Sequence, residues 1–272
     1  MIPIDLEGRV ILICGASRGG ISGATARRLA EAGATVFAVD KAQDILDATI
    51  ADIESAGGKC HGFVTDLMDP AGTDPIVREV IAKCGRLDGV ANVAGGTREE
   101  EWMCLEDTPT QMFRETLYLN LEYVFRVCRD VASWWIDNGQ GGSLVNVGSV
   151  SGLTSAPFHG PYGAAKSGIF ALTRTMSIEW KPYGIRANTV SPGAVATERV
   201  MSRMNNPDPP PELLADFTTP DQLANAITFL LCDLASGISG QNLVVDSSLS
   251  ARHCSNSFDR RRPDMLRAKG EK

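Results

Sequence analysis

No cysteine pair in the 272-residue chain is spaced for a metal or a redox centre: Cys14, Cys60, Cys84, Cys104, Cys128, Cys232 and Cys254 are scattered, C-x-x-C is absent and the number is odd. That excludes a disulfide framework and a thiolate zinc site, and it points to reduced thiols. Histidine is scarce too. His61, His159 and His253 lie far apart, H-E-x-x-H does not occur, and no metal site is expected. No apolar run reaches the length of a bilayer span, and no basic segment followed by an apolar stretch opens the chain, so the expected setting is the cytoplasm, with no membrane partner. Positive charge is in deficit: 26 Lys and Arg against 33 Asp and Glu leave a formal charge of -7, which argues against nucleic acid as a partner.

What remains is an ordinary globular composition, 43% hydrophobic and 22% charged, in a chain long enough for one large core. We expect a single domain over residues 1–250 and a polar, basic tail over 251–272. The tail carries Arg260, Arg261, Arg262, Arg267, Lys269 and Lys272 and reads as a flexible extension or a partner-binding arm.

Arg9 to Cys14 is a short, continuous apolar run, the pattern of a strand buried on both faces of a parallel sheet. It leads into the glycine-rich loop Gly15 to Gly23, which contains Ser17, Arg18, Gly20 and Ile21 and passes into a good helix former, Ala24 to Ala30. Strand, glycine turn and helix together make a dinucleotide cradle, because backbone N–H groups and the helix N-terminus can face a pyrophosphate that side chains would block. A second strand, Thr35 to Val39, ends in Asp40, twenty residues past Gly20. A carboxylate there accepts hydrogen bonds from both adenosine ribose hydroxyls and repels a 2'-phosphate, which favours NAD over NADP. Arg18 and Lys41 are placed to offset that repulsion, and a merely solvated strand-end carboxylate is the alternative.

The alternation continues with a third strand, Lys59 to Val64, ending near Asp66 and Leu67, where Asp66 is placed for an adenine edge. A fourth strand, Leu87 to Val93, ends in Asn92-Val93-Ala94-Gly95-Gly96, small residues that suit either a close pass by a cofactor or a plain turn. Thr108-Pro109-Thr110-Gln111 reads as a capping box with proline at the first helical position. The helix it predicts runs through Asn120, a buried amide that must hold backbone or water. Strands are also expected at Ser143–Val147, Ile185–Val190 and Asn242–Val245, and a helix at Pro220–Leu231. Between the last two strands, Pro192, Gly193, Val195 and Thr197 lead into a lid that includes Met201, Met204, the run Pro207–Pro211, Leu213, Leu214 and Phe217.

Ser149 to Lys166 carries the chemistry. Tyr162 and Lys166 are four apart, on one face of a helix that Pro161 can start, and Ser149 stands at the end of a strand. An ammonium at ~4 Å, at an effective dielectric of ~20, favours a phenolate by ~4 kcal/mol, about three pKa units. That would poise Tyr162 near neutrality as a general acid/base, with Ser149 holding the same substrate oxygen. Tyr-x-x-x-Lys alone also arises by chance. His159 either lines the substrate mouth or belongs to a surface loop.

Over Leu6 to Ser248 the ordered set of motifs resembles the single-domain branch of the short-chain dehydrogenase/reductase family. The resemblance implies an α/β, doubly wound Rossmann fold with a seven-stranded parallel sheet flanked by helices. It makes Asn120, Ser149, Tyr162 and Lys166 a catalytic tetrad, in which Tyr162 is the acid/base, Lys166 lowers its pKa and binds the nicotinamide ribose, and Asn120 anchors a relay water. Gly15 to Ile21 resembles the cofactor loop and Asn92-Val93-Ala94-Gly95 the N-x-A-G turn, with Pro192, Gly193, Val195 and Thr197 on the nicotinamide side. The implied reaction is hydride transfer between NAD(H) and a secondary alcohol or ketone, apolar, cyclic or steroid-like, by a homotetramer. Alternatives are 3-oxoacyl-carrier-protein reduction with NADPH, which Asp40 and the acidic balance oppose, and a non-catalytic dinucleotide-binding scaffold. Three departures stand out: Cys14 replaces the usual threonine, the loop is one residue longer so that Gly15, Gly20 and Ser22 align, and Asp246-Ser247-Ser248 replaces D-G-G.

Overall fold

The computed structural model describes residues 4–203 and 214–251; the Pro207–Pro211 run, Met204, Leu213 and the basic tail from residue 252 lie outside them. Seven strands form one parallel sheet: β1 (Val10–Cys14), β2 (Thr35–Asp40), β3 (Lys59–Val64), β4 (Gly89–Asn92), β5 (Gly142–Val147), β6 (Ile185–Pro192) and, last in the chain, β9 (Asn242–Val245). Their order across the sheet is β3-β2-β1-β4-β5-β6-β9. The chain therefore starts at the middle, winds outward to β3, and returns to lay β4 on the other side of β1. Beyond the carboxyl ends of β1 and β4 the two halves diverge and leave a crevice, the place where open α/β sheets bind ligands.

Period-two alternation builds both core layers from the same strands. In β1, Ile11 and Ile13 face helices α1 (Ile21–Glu31) and α9 (Pro220–Leu231), packing with Leu29, Leu223 and Ile227. Val10, Leu12 and Cys14 face the opposite way, onto α4 (Ile76–Cys84), α6 (Tyr123–Asp137) and α7 (Gly160–Glu179), with Val80, Val127 and Ile169. The middle strands β1 and β4 are wholly buried, whereas the edge strand β3 alternates between exposed and covered residues.

Three local features depart from expectation. The helix α5 (Thr110–Leu117) has no side-chain cap: Pro109 stands at its N-cap, and the Thr108 hydroxyl donates to the Cys104 carbonyl at 3.1 Å. The expected capping box is not made because the short 3-10 turn Leu105–Asp107 already engages Thr108. Between α5 and α6 the helix widens into one π turn, Tyr118–Glu122, which contains Asn120. Finally, a short parallel pair, β7 (Ala194–Val195) and β8 (Phe217–Thr218), joins the two ends of the lid, whose first part is the helix α8 (Glu198–Arg203).

Candidate active site

The crevice floor is the glycine loop. Gly15 has φ +99°, and a Cβ there would lie 3.2 Å from the Ala94 nitrogen, so loop and turn pack backbone to backbone. Gly20 forms the N-cap of α1 without a side-chain cap, and a Cβ on it would meet nothing closer than Ser17 Oγ at 3.5 Å. A helix N-terminus with uncapped N–H groups and an open approach suits a diphosphate. The loop's close-packing glycine is Gly23, not the Ser22 position that sequence alignment selects, since a Cβ on Gly23 would stand 2.5 Å from the Ser17 carbonyl. Its signal in the sequence is only a glycine one turn into α1. By its letters Gly15-Ala16-Ser17-Arg18-Gly19 also fits the G-x-S-x-G pattern of a serine nucleophile. The described histidines do not serve Ser17: His61 lies on edge strand β3, and His159 is bonded to Ser151 and Pro157.

Asp40 closes this half. One carboxylate oxygen accepts from the Ala16 N–H at 3.0 Å and the other from the Ala42 N–H at 3.3 Å. Gly20, Ile21, Asp40, Ala94 and Thr197 line one hollow, and Asp40, Lys41, Asp66, Leu67 and Ala94 line its continuation. Arg18 is turned away to Asp52 at 3.3 Å, so it does not offset Asp40 as expected. Asn92 also departs from expectation: strand parity buries its amide, which donates to Asn146 Oδ1 at 2.9 Å and ties β4 to β5 instead of reaching the crevice. A residue the sequence did not flag, Tyr123, donates from its buried hydroxyl to the Ala94 carbonyl at 2.7 Å and fixes the turn. Gly193 packs against Asp246, Val195 is buried, and the Thr197 hydroxyl accepts from Val200 N–H at 3.2 Å at the start of α8.

The other half holds the tetrad. Asn120 is fully buried; its Oδ1 accepts from Gly96 N–H at 2.8 Å and its Nδ2 donates to the Gly96 and Thr116 carbonyls at 3.0 Å, so the amide holds backbone. Lys166, 2% exposed, donates to the Val147 carbonyl at 2.8 Å. A Cβ on Gly95 would lie 2.7 Å from Asn120 Oδ1 and 3.4 Å from Lys166 Nζ, which places both groups against one glycine. Ser149 accepts from Ser151 N–H at 3.1 Å and stands near enough to Tyr162 to favour its phenolate. His159 stands at the mouth: its ring is stacked on Trp102 at 4.3 Å and lies 6.0 Å from Tyr162.

The electrostatics correct one expectation. Burial pushes the Tyr162 phenol above its ordinary value, while Ser149 and the charge of Arg199 pull it back. Lys166 donates to Val147, sits 5.5 Å from the Tyr162 ring centre and is not among the groups that pull the phenol down. Burial instead lowers Lys166 itself from 10.5 to about 7. Arg199, which sequence reasoning missed, reaches this centre from α8. Cys14, below the loop, is pushed far above the thiol range by burial, so its thiol is inert.

A family model described as enoyl-(acyl carrier protein) reductase matches residues 15–250. The chain is 33% identical to a 3-oxoacyl-[acyl-carrier-protein] reductase of Thermotoga maritima, over 90% of this chain and 98% of that one. It is 32% identical to a D-threitol dehydrogenase of Mycolicibacterium smegmatis, over 91% and 95%. The crystal structure of an NAD+-bound xylitol dehydrogenase superposes with a TM-score of 0.79 at 27% identity, covering 89% of this chain and 99% of that one.

Proposed function

The chain belongs to the short-chain dehydrogenase/reductase family and is an oxidoreductase acting on alcohols or ketones, and from that premise we propose that it transfers a hydride between NAD(H) and a secondary alcohol or its ketone. The observation that carries this reading is that Asn120 and Lys166 meet against Gly95, while the Tyr162 ring centre lies 5.5 Å from Lys166 Nζ and Ser149 acts on the same phenol. The hollow fits a dinucleotide: the uncapped α1 terminus at Gly20 would take the diphosphate and Asp40 the adenosine ribose. When bound, the nicotinamide supplies the hydride or accepts it.

The protein's own part is proton transfer and positioning. Tyr162 Oη gives a proton to a carbonyl oxygen in reduction and takes it back in oxidation, while Ser149 Oγ holds the same oxygen. Burial raises the phenol, so the group that meets a carbonyl oxygen at neutral pH carries the proton it gives in reduction. Lys166 and Asn120 support the substrate end of the crevice, Lys166 from beneath and Asn120 by holding Gly96. Trp102 and His159 give the mouth an aromatic wall that suits an apolar or cyclic substrate, as does exposed Phe158. The same reading makes the protein a single-domain cytoplasmic homotetramer.

NAD is favoured because Asp40 would repel a 2'-phosphate and Arg18 is paired with Asp52. The identity to a 3-oxoacyl-[acyl-carrier-protein] reductase supports the second reading, reduction of an acyl thioester with NADPH. Asp40 and the net charge of -7, which opposes an acidic carrier, count against it. One experiment addresses both points: a nicotinamide-fluorescence screen over secondary alcohols and ketones with the parent chain, Tyr162→Phe and Asp40→Ala. Tyr162→Phe is expected to lose roughly 100- to 10,000-fold in kcat and to bind NADH as before. Asp40→Ala is expected to raise NADP use relative to NAD. Full activity in Tyr162→Phe refutes the acid/base role, and an unchanged cofactor ratio in Asp40→Ala refutes the ribose contact.

A further inference from the structure

Arg199 is the second residue of α8, and the backbone hydrogen bond from Glu198 N–H to the Gly19 carbonyl at 3.1 Å fixes where that helix begins. The two charged neighbours diverge from there. The Glu198 side chain packs on Gly19 at the phosphate loop, whereas Arg199 Nη2 lies 3.0 Å from the point a Cβ on Gly96 would occupy. Gly96 is the residue that Asn120 grips from both sides, and Gly95 before it adjoins Lys166. The guanidinium thus stands at the reacting end of the crevice, and its charge is felt by Tyr162.

Arg9, Arg18, Arg27, Arg28, Arg86 and Arg98 each meet a carboxylate, but no ion pair joins Arg199 to one among the described residues. Glu198 faces the other way, and Glu101 and Glu115 are held by Arg98. Beside the buried Lys166 amine and with no carboxylate partner among the described residues, this planar cation is costly to desolvate when a ligand fills the crevice, unless that ligand brings an anion. Arg199 lines the same hollow as Gly19 and Gly20, where a diphosphate belongs, but the Glu198 carboxylate stands at Gly19 and the guanidinium at Gly96, which favours an anion brought by the substrate over the cofactor diphosphate. A guanidinium matches a carboxylate with two parallel hydrogen bonds. The stacked pair Trp102 and His159, with exposed Leu105 nearby, would face the apolar remainder of the molecule.

We infer that Arg199 recognises a carboxylate on the substrate, so that the enzyme prefers oxo acids and hydroxy acids with an apolar or cyclic body over neutral ketones and alcohols. This rests on the dehydrogenase reading above and narrows it. Arg199 is a specificity residue, and its charge beside Tyr162 also eases the phenolate.

The probes are 3-oxocyclohexanecarboxylate and its methyl ester, which share a ring and a carbonyl and differ in one charge. Turnover is followed by NADH consumption, and binding of cyclohexanecarboxylate and its methyl ester to the enzyme with NAD+ by calorimetry. The parent chain is expected to favour the acid by about 10- to 100-fold, the range of one charge-assisted hydrogen-bonded pair. Arg199→Gln should abolish that preference, lower turnover of the ester far less, leave the affinity for NADH within about twofold, and raise the apparent pKa of the kcat/KM profile. Arg199→Lys should restore part of the preference. No discrimination between acid and ester by the parent chain overturns the inference, and so does an Arg199→Gln variant that binds NADH weakly and both probes alike, which would make the cofactor diphosphate the partner. The two readings fail separately. Acid binding that depends on Arg199 without turnover of any carbonyl compound upholds this inference and sinks the dehydrogenase reading; equal turnover of acid and ester does the reverse.

Discussion

Lys166 shows what burial does to a charged group. Its amine, bonded to the Val147 carbonyl, titrates at about 7 in the folded chain instead of 10.5. Between those values the unfolded chain binds a proton that the folded chain does not, so this residue makes stability rise with pH from about 7 toward 10.5, and below 7 its full cost persists. Lys166→Met removes that dependence. The stability of the variant relative to the parent is expected to be highest near pH 6 and to fall steadily by pH 9.5, as urea midpoints at several pH values would show. A difference that does not change with pH would mean the amine keeps its ordinary affinity for protons. Spacing alone brings Lys166 to the same helix face as Tyr162, but the direction of its ammonium depends on Val147, a neighbour nineteen residues away.

The turn that follows β9 carries strain. Ser247 has φ 51° and Ser248 φ 66°, the left-handed region that glycine adopts freely and that other residues enter at about 1 to 2 kcal/mol each. Asp246 holds the turn by accepting from Ser248 N–H at 3.0 Å and Ser250 N–H at 2.7 Å. Burial raises its carboxyl, but these bonds outweigh that and keep it below the usual range. Glycine's greater freedom in the unfolded chain costs about 0.5 to 1 kcal/mol per residue. The double variant Ser247→Gly, Ser248→Gly should therefore gain about 1 kcal/mol and unfold about 2 to 4 °C higher. A lower midpoint in a thermal melt would show that the serines contribute contacts worth more than the strain. The D-G-G to Asp246-Ser247-Ser248 departure was visible as letters, and its consequence only as backbone angles.

As a whole the chain leaves large apolar residues uncovered on one side of its helical layer. Phe113 on α5, Tyr118 on the π turn and Phe125 on α6 are 42%, 36% and 41% exposed, and Ile178 on α7 is 73% exposed. We propose that these faces meet copies of the same chain in a tetramer. Light scattering should give about four chains' mass, and Phe113→Asp with Phe125→Asp should reduce it; a parent chain that runs as a monomer refutes the assembly.

Whatever depends on residues close in sequence could be read from the letters: apolar runs as parallel strands, the strand-glycine-helix order of the cofactor cradle, Asp40 at the end of β2, and Tyr162 with Lys166 one helical turn apart. Those features follow from local periods of 2 and 3.6 residues and from glycine's backbone freedom. Whatever depends on distant parts of the chain meeting was settled by packing: Asn120 on Gly96, Tyr123 on Ala94, the inward turn of Asn92, Gly23 as the close-packing glycine, and Arg199 at Gly96. The direction of a side chain and the proton affinity of a buried group depend on neighbours that chain order does not name.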